Sequence, residues 1–150
     1  MKKILQIVLT FGTAWLIYYG VEQYRLKEMS EILQEIEVVS PERFNKLSII
    51  QYPEQQNYVS FDYDEVQATF RALKKLEVKE AKRLKESENY TKIRLLEDGS
   101  HQFVEYYFYD NDSIQFVEEG LVAFRSVTYQ VDEAELHTVL DSLLAGKTFD

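Results

Sequence analysis

The chain has 150 residues, no cysteine, 45% hydrophobic residues and a formal net charge of −9 at neutral pH. This length allows one domain with a single core of modest size. The lack of cysteine excludes disulfides, thiolate metal sites and cysteine nucleophiles. Because Lys2 and Lys3 are the charged residues of the first 21, residues 22–150 carry a net charge of −11. Such an acidic surface makes nucleic acid and anionic lipid poor partners.

An apolar run at residues 4–21 directly follows Lys2 and Lys3. At about 1.5 Å per helical residue, its length nearly matches a hydrocarbon core of about 30 Å. The two lysines at one end, and a tryptophan and two tyrosines toward the other, predict a cytoplasmic N-terminus. We therefore expect residues 1–21 to form a single-pass transmembrane anchor that contacts the lipid bilayer through residues 4–21. The rest of the chain is then extracytoplasmic.

A cleaved secretory signal is the main alternative to the anchor, since it also has a basic start and an apolar stretch. Cleavage requires small residues at the end of the stretch. Bulky side chains stand there instead: Leu16, Ile17, Tyr18 and Tyr19. An uncleaved anchor is therefore the leading interpretation, ahead of a cleaved signal and of a buried helix in a soluble protein.

Residues 22–40 predict a helical stalk that continues the anchor. Leu26, Met29 and Ile36 recur at helical spacing. The stalk should end at Ser40, because a residue before proline is disfavoured in a helix. Its apolar stripe has three candidate partners: the domain that follows, a second copy of the stalk in a homodimer, or the membrane surface. Packing on the domain is the default expectation.

Residues 41–150 predict one extracytoplasmic domain. Alternation, turn residues and capping residues indicate a β-hairpin, a helix, a four-stranded antiparallel meander and a C-terminal helix. The charged segment 77–89 is expected to extend the first helix or to form a loop. The fold class is therefore α+β, with the helices packed on one face of the sheet. The expected elements are strands Phe44–Tyr52 and Tyr58–Phe61, a helix Tyr63–Leu76 capped by Asp62, strands Tyr90–Glu97, His101–Tyr109, Ser113–Glu118 and Leu121–Val131, and a helix capped by Asp132 and ended by Gly146.

Residues that carry chemistry are sparse. His101 and His137 each lack a second histidine or a cysteine at metal-ligand spacing. The segment 110–112 begins like a calcium loop but lacks the later ligands, so we interpret it as a turn. No serine stands in a nucleophile-elbow context, and the glycines form no phosphate-binding loop. We expect no metal, no cofactor and no catalytic residue, and therefore a protein that is not an enzyme.

The strand predicted at residues 101–109 is unusually aromatic. Alternation places Tyr107 and Tyr109 on one face and Tyr106 on the other. In one interpretation both faces are covered and the aromatic side chains belong to the core. In the other, one face is exposed and forms a protein-contact surface, since tyrosine and arginine are enriched at interfaces. That candidate contact surface consists of Tyr107, Tyr109, Arg125 and Tyr129.

Residues 43–145 combine a capped helix, an aromatic meander, acidic turns and a closing helix with an Asp-x-x-Glu start. In this architecture they resemble the small uncharacterised membrane-anchored or exported α+β domains of Gram-positive bacteria. The resemblance rests on no motif, so it implies no functional residue.

Together these features predict a non-catalytic, membrane-anchored, extracytoplasmic module that binds another protein, or an accessory subunit of a membrane complex. The alternative function is that of an immunity or inhibitor protein. In that case the acidic C-terminal part of the chain, with −10 over residues 97–150, would neutralise a basic toxin by charge steering.

Overall fold

A single antiparallel sheet organises the part of the chain that the structure describes. The structure is a computed structural model and describes residues 15, 26–28, 41–81, 87–119 and 124–150. These residues form eight strands, two helices and one 3₁₀ turn at Pro41–Arg43. The strands are β1 (Leu26–Glu28), β2 (Lys46–Tyr52), β3 (Gln56–Ser60), β4 (Glu77–Glu80), β5 (Tyr90–Leu96), β6 (Phe103–Tyr109), β7 (Ser113–Glu119) and β8 (Phe124–Val131), and the helices are α1 (Tyr63–Lys74) and α2 (Glu133–Leu144).

The strand order in the sheet is β1-β4-β8-β7-β6-β5-β2-β3, and every neighbouring pair is antiparallel. Strands β5 to β8 are neighbours in chain order, which confirms the predicted meander. The predicted hairpin is also confirmed as β2 and β3, and it joins the meander through β5. The coarse α+β class is therefore correct.

The two faces of the sheet differ in what covers them. We call the face that carries Ile93, Tyr106 and Phe116 the helix face, because these three residues lie in one row across β5, β6 and β7. Their side chains share a buried cluster with Phe70 of α1 and Leu136 of α2. Both described helices thus pack on this face. We call the opposite face the outer face.

Side-chain caps start both helices, as the sequence predicts. The Asp62 carboxylate accepts hydrogen bonds from the backbone N–H groups of Asp64 and Glu65, at 2.9 and 3.2 Å. Asp132 does the same for α2. These acceptors satisfy donors that have no partner within the first turn of a helix. Beyond the end of α2, Gly146 has a φ of +74°, a backbone conformation that residues with side chains rarely adopt.

Two predictions about secondary structure are wrong. The segment expected to extend α1 or to form a loop contains β4, whose Val78 is buried in the core. The segment expected to be a helical stalk contains β1, which pairs with β4 through Leu26 opposite Lys79. The stalk segment has a helical pattern of apolar residues and segment 77–89 is highly charged. In both segments, pairing with a neighbouring strand outweighs this local preference.

The remaining stalk residues and the predicted anchor lie outside the described residues, apart from Trp15, which is helical and exposed. None of the helices in the described part of the chain is long and apolar enough to cross a membrane.

Replacement of the α2 cap tests the local origin of that helix. Asp132→Ala should lower the free energy of unfolding by about 1 kcal/mol, because the N–H groups of Ala134 and Glu135 lose their acceptor. Asp132→Ser keeps an acceptor oxygen and should retain most of the stability. Urea denaturation followed by circular dichroism measures both variants. Equal losses in the two variants would show that the capping hydrogen bonds do not stabilise α2.

Candidate functional site

Three exposed apolar side chains lie where β3 leads into α1. Val59, Phe61 and Tyr63 expose 43%, 61% and 49% of their surface. Apart from Trp15, they are the exposed large hydrophobic residues of the described chain. We call these three residues the contact patch. Val59 and Phe61 are two residues apart on extended backbone and project to the same side, and exposed apolar surface is typical of protein interaction sites.

The backbone around the contact patch is held in place on several sides. The Lys46 ammonium lies 4.9 Å from the centroid of the Phe61 ring. The Tyr63 hydroxyl donates a hydrogen bond to the carbonyl oxygen of Glu42, and the Ser60 hydroxyl accepts one from the N–H of Asp62. Side chains on a fixed backbone lose little conformational entropy when they bind a partner.

The C-terminal residues lie against the outer edge of β3. Asp150 and Asn57 exchange two backbone hydrogen bonds, both of 3.0 Å. The ring of Phe149 lies 5.9 Å from the ring of Tyr58. The edge strand of the sheet is therefore partly covered by the end of the chain.

An ion pair between Lys147 and Glu65 fastens the same C-terminal segment to α1. The Tyr58 hydroxyl also donates hydrogen bonds to the Glu65 carboxylate, at 2.9 and 3.0 Å. Burial acts to raise the pKa of Glu65, but hydrogen bonds from Lys147, Ser60 and Tyr58 outweigh it, so the pKa is lowered. The negative charge next to the contact patch is thus neutralised by a lysine.

A buried carboxylate lies at the centre of the outer face. Glu105 exposes 7% of its surface and lies 3.7 Å from the Lys92 ammonium and 3.4 Å from Nε of Arg94. The Tyr107 hydroxyl donates a hydrogen bond of 2.8 Å to Glu105. Burial raises the pKa of Tyr107, and the hydrogen bond to the Glu105 carboxylate raises it further. With two cations and a phenol around it, this carboxylate joins β5 to β6.

The four residues predicted to form one contact surface do not share a face. Tyr107 and Tyr109 lie on the outer face, and Tyr109 is 8% exposed with its hydroxyl bonded to Gln115. Tyr129 pairs with Ile114 on the helix face and is 4% exposed. Arg125 pairs with Glu118, and its side chain lies outside the described residues. The expectation of a single exposed patch is therefore wrong for Tyr109 and Tyr129, while a binding role for Tyr107 stays a prediction.

The reason for this error is the register between strands. Alternation shows which residues of one strand share a face. It does not show which residues of β6 and β8 share a face, because that depends on how each strand pairs with β7 between them. The same pattern offered a signal that sequence reasoning missed. Val59, Phe61 and Tyr63 stand at every second position, from the predicted strand to the first residue of the predicted helix.

A cleft of about 300 Å³ opens at the other end of the hairpin, between α2 and the ends of β2, β5 and β6. Its floor is apolar, with Phe108, Leu136 and Leu140. The rings of Tyr52 and Tyr90 stack at its side, 4.4 Å apart. The ionisable residues at its rim are Glu54, Asp110, Asp112 and His137. None of the described residues that line the cleft is a lysine or an arginine.

Within the described ranges, no group of three or more histidine, cysteine or carboxylate side chains is placed to hold a metal ion. The rim is suited to attract a basic side chain of another protein, because its carboxylates are partly exposed and no lysine or arginine stands among the described residues that line the cleft.

No family model matches this chain, and no match was found among the curated proteins or among the solved structures.

The Tyr107 hydroxyl provides a pH-dependent test of the Glu105 cluster. Tyr107→Phe should lower the free energy of unfolding by about 1 kcal/mol near pH 8, since one hydrogen bond to a charged acceptor is lost. The folded-state pKa of Tyr107 lies above the unfolded value of about 10. The stability that the bound proton contributes is therefore present below pH 10 and is lost as the pH rises beyond it.

The difference between the wild type and Tyr107→Phe should consequently shrink between pH 8 and pH 11 in urea denaturation. Tyr63→Phe, at an exposed tyrosine, is the matched control and should show a constant, small difference. A pH-independent difference for Tyr107→Phe would contradict the raised pKa.

Proposed function

We propose that this chain is a non-catalytic, membrane-anchored, extracytoplasmic binding module that contacts another polypeptide through the contact patch. The observation that carries the proposal is the exposure of Val59, Phe61 and Tyr63, which are close in the chain and lie where hydrogen bonds of Ser60 and Tyr63 hold the backbone in place. Aromatic residues are enriched at protein interfaces, where a few residues supply most of the binding energy.

A partner that covers the contact patch releases the water in contact with its apolar side chains. Each apolar Å² removed from water stabilises a complex by about 25 cal/mol. In the free chain this contribution is forgone at Val59, Phe61 and Tyr63, whose side chains are exposed. An apolar surface with no role in the core of its own domain is therefore best explained by a partner that covers it.

Membrane attachment rests on the apolar run at residues 4–21 and on the basic residues before it. An anchored module of this kind acts next to the membrane on a protein of the cell envelope or as an accessory subunit of a membrane complex. Its acidic net charge disfavours direct contact with anionic lipid headgroups.

The cysteine-free chain allows a direct test of this topology. Ser142→Cys introduces one thiol at an exposed position of α2. The full-length variant should be labelled by a membrane-impermeant maleimide on intact cells, to the same extent as after lysis. Labelling that requires lysis would place the domain in the cytoplasm and overturn the extracytoplasmic assignment.

Photo-crosslinking tests the contact patch itself. Benzoylphenylalanine in place of Phe61 should give adducts of higher mass in membranes, because this side chain contacts the partner. The same amino acid in place of Gln130, an exposed residue at the end of β8, is the control and should give none. Addition of Val59→Ser should reduce the adduct at least three-fold without a change in melting temperature. Equal adducts at both positions would contradict a specific patch.

The inhibitor function is favoured by one separate observation, the acidic rim of the cleft with its partly exposed Asp110 and Asp112. Charge steering to a basic partner predicts an association rate that falls steeply with salt. With an oligolysine peptide as the probe, the rate should fall at least ten-fold between low and physiological ionic strength. Asp110→Asn combined with Asp112→Asn should remove most of this salt dependence. A rate that is insensitive to both salt and these substitutions would exclude the inhibitor function.

A further inference from the structure

The cleft between α2 and the ends of β2, β5 and β6 has acidic residues at two separate places. Glu54 lies in the turn after β2, and Asp110 and Asp112 lie in the turn after β6. Because β5 lies between β2 and β6, the two turns are two to three strand spacings apart, or about 10 to 14 Å. The cleft therefore has one acidic end on the hairpin and a second acidic end on the meander.

The floor between the two acidic ends is apolar. It consists of Phe108 of β6 with Leu136 and Leu140 of α2. Phe108 and Leu136 belong to the buried core, and the partly buried Leu140 packs against it. A cavity of about 300 Å³ with mostly apolar walls and a few polar groups is typical of small-molecule sites. An elongated molecule with an apolar middle and polar ends fits this distribution.

The charges at both ends favour a cation. In the described part of the chain, no ion pair includes Glu54, Asp110 or Asp112, and no lysine or arginine lines the cleft. The Asp110 carboxylate accepts a hydrogen bond of 3.3 Å from the side-chain amide of Asn89, a neutral donor that leaves the negative charge in place. Each end of the cleft is therefore complementary to a positive charge.

We propose that the cleft binds a linear aliphatic polyamine. One ammonium group pairs with Glu54, and a second pairs with Asp110 and Asp112. The methylene chain between them packs on Phe108 and Leu140. A metal ion is a single point charge, and among the residues that the structure describes no three ligand side chains converge on one point. A lysine side chain carries one ammonium group and would leave the other acidic end unmatched.

The length and both charges of the polyamine contribute to binding. An ion pair at a partly exposed carboxylate contributes little by itself, because water screens the two charges. When both ammonium groups belong to one molecule, the first pair brings the second ammonium to its carboxylate at a high effective concentration. Methylene groups that leave water for the apolar floor strengthen binding further. The site goes beyond the proposed function, because the contact patch lies at the other end of the hairpin.

Isothermal titration calorimetry of the full-length chain in detergent tests the ligand class, with titration into detergent alone as the blank. Diaminooctane and spermidine should bind. Diaminoethane should bind about ten-fold more weakly than diaminooctane, because its chain cannot reach both acidic ends. Aminooctanol, in which a hydroxyl replaces one ammonium, should lose a similar factor. A diamine as long as diaminooctane but with ether oxygens in its chain should bind about three-fold more weakly, because its chain is more polar.

Charge-neutralising variants test the two ends of the cleft. The double variant Glu54→Gln, Asp112→Asn removes one charge from each end and should weaken diaminooctane about ten-fold. Asp112 has a φ of +61°, a conformation that asparagine also adopts readily, so the turn should be retained. The matched control Asp64→Asn, Glu97→Gln makes the same two kinds of substitution at residues that do not line the cleft. Its affinity for diaminooctane should stay close to that of the wild type.

Several results would overturn the polyamine site. No binding of diaminooctane would do so directly. Equal losses in the double variant and its control would mean that polyamines bind only through the net charge of the chain. Competition by Mg²⁺ at the same concentration as diaminooctane would show that the chain between the charges does not matter. An oligolysine peptide that displaces spermidine at a lower concentration of lysine residues than of spermidine would assign the cleft to a basic polypeptide. Photo-crosslinking at Phe61 is independent of all these results and tests the proposed function separately.

Discussion

The row of side chains formed by Ile93, Tyr106 and Phe116 is the interaction on which the rest of this structure depends. It crosses the three central strands of the sheet and packs beneath both described helices. A shift of one residue in any of these strands would move its apolar side chains from the helix face to the outer face. Burial of this row therefore sets the register of the meander, and with it the position of every residue on the outer face.

That register determines which side chains meet on the outer face. Glu105 is placed between Lys92 and Arg94 because β5 and β6 pair in the frame that the buried row requires. A carboxylate with two cations and a phenolic donor is satisfied within the sheet and needs no external partner. Glu105 and the residues that contact it thus stabilise the sheet, while a binding role for Tyr107 stays a prediction.

The surface available to a partner lies instead at the end of the sheet. The hairpin of β2 and β3 is added at one side of the meander, and β3 is left as an edge strand that the C-terminal residues cover at Asn57. Val59 and Phe61 stand beyond that covered position, next to the cap of α1. Edge strands provide unpaired backbone groups and side chains that protrude on one side. Both are used when an extended peptide binds as an additional strand of a sheet. Binding of another polypeptide at the contact patch would depend on Val59 and Phe61 remaining uncovered by the C-terminal residues.

The sequence by itself determined the local elements of the domain. The caps Asp62 and Asp132, the apolar spacing of the two helices and the alternation of the meander are signals between residues that are close in the chain, so α1, α2 and β5 to β8 were predictable. Only the tertiary structure decided how distant segments pair. Strands β1 and β4 exist because they hydrogen-bond to each other and, in the case of β4, to β8, and the opposite faces of Tyr107 and Tyr129 result from a register that passes through β7. Pairing between distant segments depends on which of them meet when the core is buried, and no local pattern of residues contains that information.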